Sequence, residues 1–284
     1  MTRLIALAFL CISLPASAAR TLSDDVGRTV TVPDHPHRLV CLMPSLVDDV
    51  YELGAGSDVI AVTDYTKYPP EAKTKPTVGL PLSPSLETIV SLHPDLVLGS
   101  GDLNREETVE DLQKLAIPVF MVRARGIEGI YTSLASVGRA LNREQEAAKL
   151  VDALRERERA VRRRVAGKPV VNVLMPIWYD PLVTIGKDAY ITDLIEIAGG
   201  HSVTSDVPQE WPEISLEAAL ARAPDALLLV RGSKMSVEIL RTRPGWLTMP
   251  AVRNNRIYYV DERIESPSPV ALDALEELAK QFHP

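Results

Sequence analysis

The chain has 284 residues, 46% hydrophobic and 24% charged, which is enough apolar material for one large or two medium cores and too much for a disordered chain. A formal charge of −7 and a pI near 5.4 supply no broad positive field of the kind that gathers nucleic acid or anionic lipid, so neither is an expected partner. Aromatic residues make up only 5%, so each Trp or Tyr in a loop carries information.

In chain order, the first segment reads as an address. Thr2 and Arg3 give a short polar, positive start, Leu4 to Leu14 form an apolar run, and Ala16, Ser17 and Ala18 suit a signal peptidase. Residues 1–19 are therefore expected to be a cleaved signal peptide and the mature chain to be exported. The apolar run falls short of the about 20 residues that span a bilayer, and no later run is long enough, so membrane insertion is not expected. Leu10 stands before Cys11 where a lipidation signal needs a small residue. Cleavage would leave Cys41 alone, inside Leu39-Val40-Cys41-Leu42, as a buried and inert thiol, and loss of Arg3 would bring the charge to −8.

Short β-branched runs then alternate with helical patterns, the signature of parallel α/β layers. Strands are predicted at 38–42, 59–62, 95–99, 118–122, 170–175, 226–230 and 256–260, with Thr29 to Val32 as an extra edge strand. Between Asn142 and Ala166, Ala147, Leu150, Val151, Leu154, Val161 and Val165 recur at helical spacing. Asn142 is the predicted cap, with Gln145 reciprocating, and Gly167 the predicted stop. Such a rod is roughly 36 Å long, the width of a small domain. The fold class is therefore α/β, with two lobes over residues 20–141 and 168–284 joined by a single stiff helix over 142–167. One continuous sheet with a long crossover helix is the alternative.

A repeat ties the lobes together. Ser85-Leu86-Glu87 precedes Pro94-Asp95, and Ser215-Leu216-Glu217 precedes Pro224-Asp225, both offset by 130 residues. Each stretch is a short amphipathic helix stopped by proline and feeding an apolar strand. Leu53-Gly54-Ala55-Gly56 and Ile197-Ala198-Gly199-Gly200 form a second echo, in which glycine closes a helix. Glu87 and Glu217 should thus project symmetrically. They either cap their helices, opened by Pro84 or Ser85 and by Ile214 or Ser215, or dock onto basic residues of a symmetric partner, where charge fixes orientation. Lying in different lobes, they are not the paired carboxylates, roughly 5 to 10 Å apart, of a hydrolase.

In open α/β lobes a ligand sits beyond the carboxyl ends of the strands. The loops there offer Ser45, Tyr65, Tyr68 and Leu80 in the first lobe, and Trp178, Tyr179, Trp211, Arg231, Asp261 and Arg263 in the second. Aromatic faces with a few hydrogen bonds suit a wide, flat ligand. Trp246 falls in a helical stretch and reads as core.

The leader, Val30-Thr31-Val32-Pro33, Arg38-Leu39-Val40, Asp64-Tyr65-Thr66-Lys67-Tyr68-Pro69-Pro70 and both Glu stretches together resemble the periplasmic binding proteins of ABC importers for metal chelates and corrinoids, above all the cobalamin-binding members. The resemblance covers nearly the whole mature chain. It implies a periplasmic, monomeric, non-enzymatic carrier with no resident cofactor or metal, which takes a corrinoid in its cleft and hands it to a membrane permease. It further implies that Glu87 and Glu217 meet permease arginines and that Tyr68, Trp211 and Asp261 contact the corrinoid. The sequence departs from those members at Gly79-Leu80-Pro81-Leu82, where a tryptophan is expected.

Rival ligands are a haem, which needs a His or Tyr aimed into the cleft, and a ferric siderophore, whose anionic chelate would use Arg123, Arg231 and Arg263. None of His35, His37, His93, His201 and His283 falls in a predicted cleft loop, and His35-Pro36-His37 is an incomplete metal site. An enzyme of the same bilobed shape, a hydrolase or chelatase, would need a nucleophile elbow, a phosphate loop, a Cys pair or His-Glu-x-x-His, and the sequence has none.

Overall fold

The computed structural model describes residues 18–284; the body of the expected signal peptide, residues 1–17, lies outside them. Two four-stranded, all-parallel sheets carry the fold. The first orders Val59–Ala61, Leu39–Cys41, Leu96–Ser100 and Val119–Val122; the second orders Gly200–Ser202, Val171–Leu174, Ala226–Val230 and Ile257–Val260. In chain order both read second, first, third, fourth, so the duplication seen in the sequence is a duplication of topology.

The central strands are buried on both faces, which is why they read as unbroken apolar runs. Leu96 and Leu98, and likewise Leu228 and Val230, face a core that runs through both lobes, while Val97, Leu227 and Leu229 face smaller cores on the outer sides. Between the sheets stands the helix Glu144–Val165, 22 residues long and therefore about 33 Å. Its Leu154 and Val161 enter the shared core beside Ile130 and Leu134 of one lobe and Leu194 and Leu275 of the other. Cys41 is a free thiol in that core, and burial, reinforced by Asp49 and Asp48, pushes it well above its ordinary range.

The repeated Ser-Leu-Glu and Pro-Asp segments share their local geometry. Ser85 and Ser215 are the caps, their Oγ atoms accepting from Thr88 N at 3.1 Å and Ala218 N at 3.0 Å. His93 and Ala223, just before the prolines, both turn left-handed, with φ of 47° and 48°. Asp95 then accepts from the backbone N–H groups of His37 and Arg38 at 2.8 and 3.0 Å, and Asp225 from Asn172 N and Nδ2 at 3.2 and 3.0 Å. Each aspartate clasps the first strand of its sheet to the third.

Four expectations change. Thr29–Pro33 pairs antiparallel with Ala19–Ser23 in a separate ribbon and is not an edge of the lobe sheet. Asn142 does not cap the linking helix: with φ of 58° it donates its own N–H to Arg139 O at 3.3 Å, closing the preceding helix Gly126–Ala140, so Arg143 takes the cap position without a side-chain bond and Gln145 has nothing to reciprocate. The glycine echo is offset by one residue, because the left-handed positions after the two helices are Gly54 and Gly199, with φ of 73° and 85°. Trp178 lies on the strand Pro176–Tyr179, paired to Leu182–Thr184, and not in a loop.

Candidate functional site

The turns beyond the strands' carboxyl ends face each other across a crevice holding two cavities, of about 350 and 740 Å³. Met43, Ser45, Glu265 and Pro267 line both and so form the partition between them. The smaller is walled by Asp48, Tyr65, Lys67 and Tyr68 of the first lobe and by Glu262, Arg263 and Ser266 of the second. The larger runs between Asp102, Arg125 and Gly126 on one side and Lys187, Asp188, Glu210 and Trp211 on the other.

Of the residues singled out from the sequence, Ser45, Tyr65, Tyr68, Trp211 and Arg263 meet in these walls. Tyr65 is 71% exposed and Trp211 43% exposed, unusual for large rings with apolar faces. Both sit where the backbone is strained: Tyr65 has φ of 71°, and Gln209, two residues before Trp211, has φ of 84°, a conformation that costs a side-chain-bearing residue roughly 1–2 kcal/mol. The turn that carries Trp211 folds tightly over Gly186, where a Cβ would collide with Gln209 O and Val207 O.

Leu80, Trp178, Tyr179, Arg231 and Asp261 form no part of either wall. Trp178 stacks on Tyr179 at 4.9 Å, and the Arg243 guanidinium covers that tyrosine's ring at 4.2 Å, so the three make a surface stack of their own. Arg231 is held by Glu277. Asp261 caps the turn Glu262–Glu265 and accepts from Arg263 Nε at 2.8 Å, so it orients a wall residue without being one.

The polar ties that cross the crevice join residues far apart in the chain and were not among the sequence expectations. Asp48, 5% exposed, accepts from Ser266 Oγ at 2.6 Å and Ser268 Oγ at 2.8 Å. Burial raises its carboxyl to about 6 even against those two bonds. Lys67 pairs with Glu262, whose other oxygen accepts from Tyr68 OH at 3.1 Å. Asp193 accepts from Ile127 N at 2.9 Å. One local signal existed: Asp48 and Asp49 interrupt an apolar face of Leu46, Val47 and Val50, and acids there are seldom buried without a purpose.

The three arginines suited to an anionic chelate already have carboxylate partners: Arg123 lies 3.7 Å from Asp102, which it shares with Arg125 at 2.9 Å, Arg231 pairs with Glu277, and Arg263 with Asp261 and Asp273 at 2.8 and 2.6 Å. No histidine lines either cavity; His35 and His37 pair with Asp34 and Asp58, and no group of three or more metal-ligating side chains occurs among the described residues. No helix among the described residues is long and apolar enough to cross a membrane.

Two like α/β lobes, a stiff connecting helix and a roomy, aromatic-edged crevice define a solute-binding protein. The chain belongs to the periplasmic binding protein family, whose model matches residues 39–264, and which comprises substrate-binding transport proteins and not enzymes. It is 28% identical over 272 residues to the uncharacterised ABC transporter substrate-binding lipoprotein YvrC of Bacillus subtilis, covering 93% of this chain and 85% of that one. It is 29% identical over 280 residues to a cobalamin-binding protein of Halobacterium salinarum, covering 93% and 74%. Among solved structures, the apo periplasmic haem-binding protein RhuT of Roseiflexus sp. RS-1 matches with a TM-score of 0.78 at 26% identity, covering 87% of this chain and 98% of that one.

Proposed function

We propose that this chain is the periplasmic component of an ABC importer and binds cobalamin or a related corrinoid for delivery to the permease. The observation that carries the reading is the crevice itself: exposed aromatic faces on opposite lobes, Tyr65 at the smaller cavity and Trp211 at the larger, with every wall arginine already paired to a carboxylate. That lining suits a broad ring fringed with neutral amides better than an anionic siderophore. The similarity to a cobalamin-binding protein points the same way. Export through a cleaved signal peptide, residues 1–19, belongs to the same proposal. A sizing column run with purified protein and cyanocobalamin tests the ligand: the red colour co-elutes with protein at micromolar concentration, and free-running colour refutes the assignment.

A haem is the second reading. Tyr65 and Tyr68 put phenol oxygens at the crevice, and tyrosine is a known iron ligand; the similarity to RhuT adds to it. Haemin on the same column gives a sharpened Soret band with the protein fraction if this reading holds.

Docking is assigned to Glu87 and Glu217, both exposed in the first turns of equivalent helices. Glu217 is held below the ordinary carboxylate range by its own helix's N–H groups and by Ser215, and so presents a firm negative charge. Glu87→Ala with Glu217→Ala abolishes uptake while ligand affinity is retained; a loss of affinity would mean that these residues serve the crevice instead.

A further inference from the structure

The larger cavity carries more acid than base. Asp102 of the first lobe is shared by Arg125 at 2.9 Å and Arg123 at 3.7 Å, and Asp193 accepts from Ile127 N. The second lobe adds Asp188, Glu210 and Glu265 against Lys187, and none of these four makes an ion pair among the described residues. Three carboxylates outside any ion pair therefore share the cavity with one such ammonium. The carboxyls of Glu210 and Glu265 are raised above their ordinary range, both by burial first; for Glu210, Asp102 of the opposite lobe adds to the rise while Arg125 and a bond from Trp211 oppose it, and for Glu265, Lys67 opposes the rise and Glu262 adds to it. A crevice whose second-lobe wall carries net negative charge is relieved by a cation bound against that wall.

We infer, resting on the corrinoid reading above, that this crevice selects corrinoids of net positive charge over neutral or anionic ones, and that Glu210 and Glu265 enforce the choice. Cobalt(III) on a corrin monoanion leaves two positive charges. In cyanocobalamin the cyanide and the nucleotide-loop phosphate cancel both. A cobinamide with one cyanide and one water lacks the phosphate and keeps a single positive charge, carried at the metal and spread over the ring that the crevice must enclose. Haem propionates and ferric chelates bring negative charge and meet the carboxylates unfavourably.

The test is an absorbance titration of wild type, Glu210→Gln, Glu265→Gln and the double variant with aquacyanocobinamide and with cyanocobalamin. Each single change is isosteric and weakens cobinamide about threefold, the double about tenfold, while cyanocobalamin affinity moves by less than about twofold. Wild type alone gives a second readout: raising salt from about 0.01 to about 0.5 M weakens cobinamide binding and leaves cyanocobalamin nearly unchanged. Equal changes for both ligands, or no change for either, overturn the inference while leaving the corrinoid reading intact. Failure of wild type to bind either corrinoid overturns the reading and the inference with it.

Discussion

Asp48 shows how a single carboxylate can serve the crevice at a cost to the fold. It is buried, its carboxyl is raised to about 6, and its two serine partners belong to the other lobe. A carboxyl raised in the folded state favours folding below its unfolded value of about 3.9, and that contribution is lost as pH rises through about 6. Asp48→Asn keeps the shape and can still exchange hydrogen bonds with both hydroxyls, but it does not ionise. The variant's stability relative to wild type should therefore rise by about 3 kcal/mol between about pH 4 and pH 8, read as the difference between two series of denaturant unfolding curves. A difference independent of pH would show that Asp48 is not strained by ionisation. The exposed rings lie at the other extreme: Tyr65→Ala removes a ring that is 71% exposed and Trp211→Ala one that is 43% exposed. Tyr65→Ala should leave the melting temperature nearly unchanged and Trp211→Ala lower it modestly, and each should weaken the ligand by about 1–3 kcal/mol, measured by titration; unchanged affinity for both would place the ligand elsewhere.

At the scale of elements, the repeat divides into a part that folds and a part that faces outward. Asp95 and Asp225 clasp adjacent strands, and Ser85 and Ser215 cap helices, whereas among the described residues Glu87 and Glu217 bond nothing beyond their own first turns. Asp95→Ala strands two backbone donors and should cost about 1–3 kcal/mol, lowering the melting temperature by about 2–10 °C in a chain of this size. Glu87→Ala should not move it, and a calorimetric scan that found the two equal would undo the distinction. Caps, proline stops and apolar strands were legible because each depends on residues a few places apart. The crevice ties were not: Asp48 and Ser266 are 218 residues apart, and Lys67 and Glu262 are 195. Nothing local to either partner announces the other. Asn142 misled because two helices nearly abut, and a residue suited to opening one was used to close the other. Trp178 misled because the residues after the predicted strand 170–175 form a further strand and not a loop, and its ring is already stacked on Tyr179.

In the whole molecule, the linking helix is braced rather than hinged. On the first-lobe side Arg155 pairs with Glu128 at 2.6 Å, and Tyr131 OH donates to Glu158 at 2.8 Å. On the second-lobe side Arg157 reaches Asp273 and Glu276 at 2.6 and 2.7 Å. The core passes uninterrupted through the helix from one sheet to the other. A hinge works by concentrating backbone rotation in a few residues, but here any rotation about the helix must shear packed side chains on both flanks. Ligand binding should therefore close the lobes little, with the radius of gyration from solution scattering changing by no more than about 1 Å, as in pre-organised binding. The ties across the crevice refine this expectation. If Asp48 with Ser266 and Lys67 with Glu262 hold the lobes together before ligand arrives, Asp48→Ala with Glu262→Ala should widen the ligand-free profile and make the ligand-induced change larger than in wild type. A compaction of several ångströms in wild type would contradict the braced helix, and an unchanged ligand-free profile in the double variant would assign the closed state to the helix and core alone.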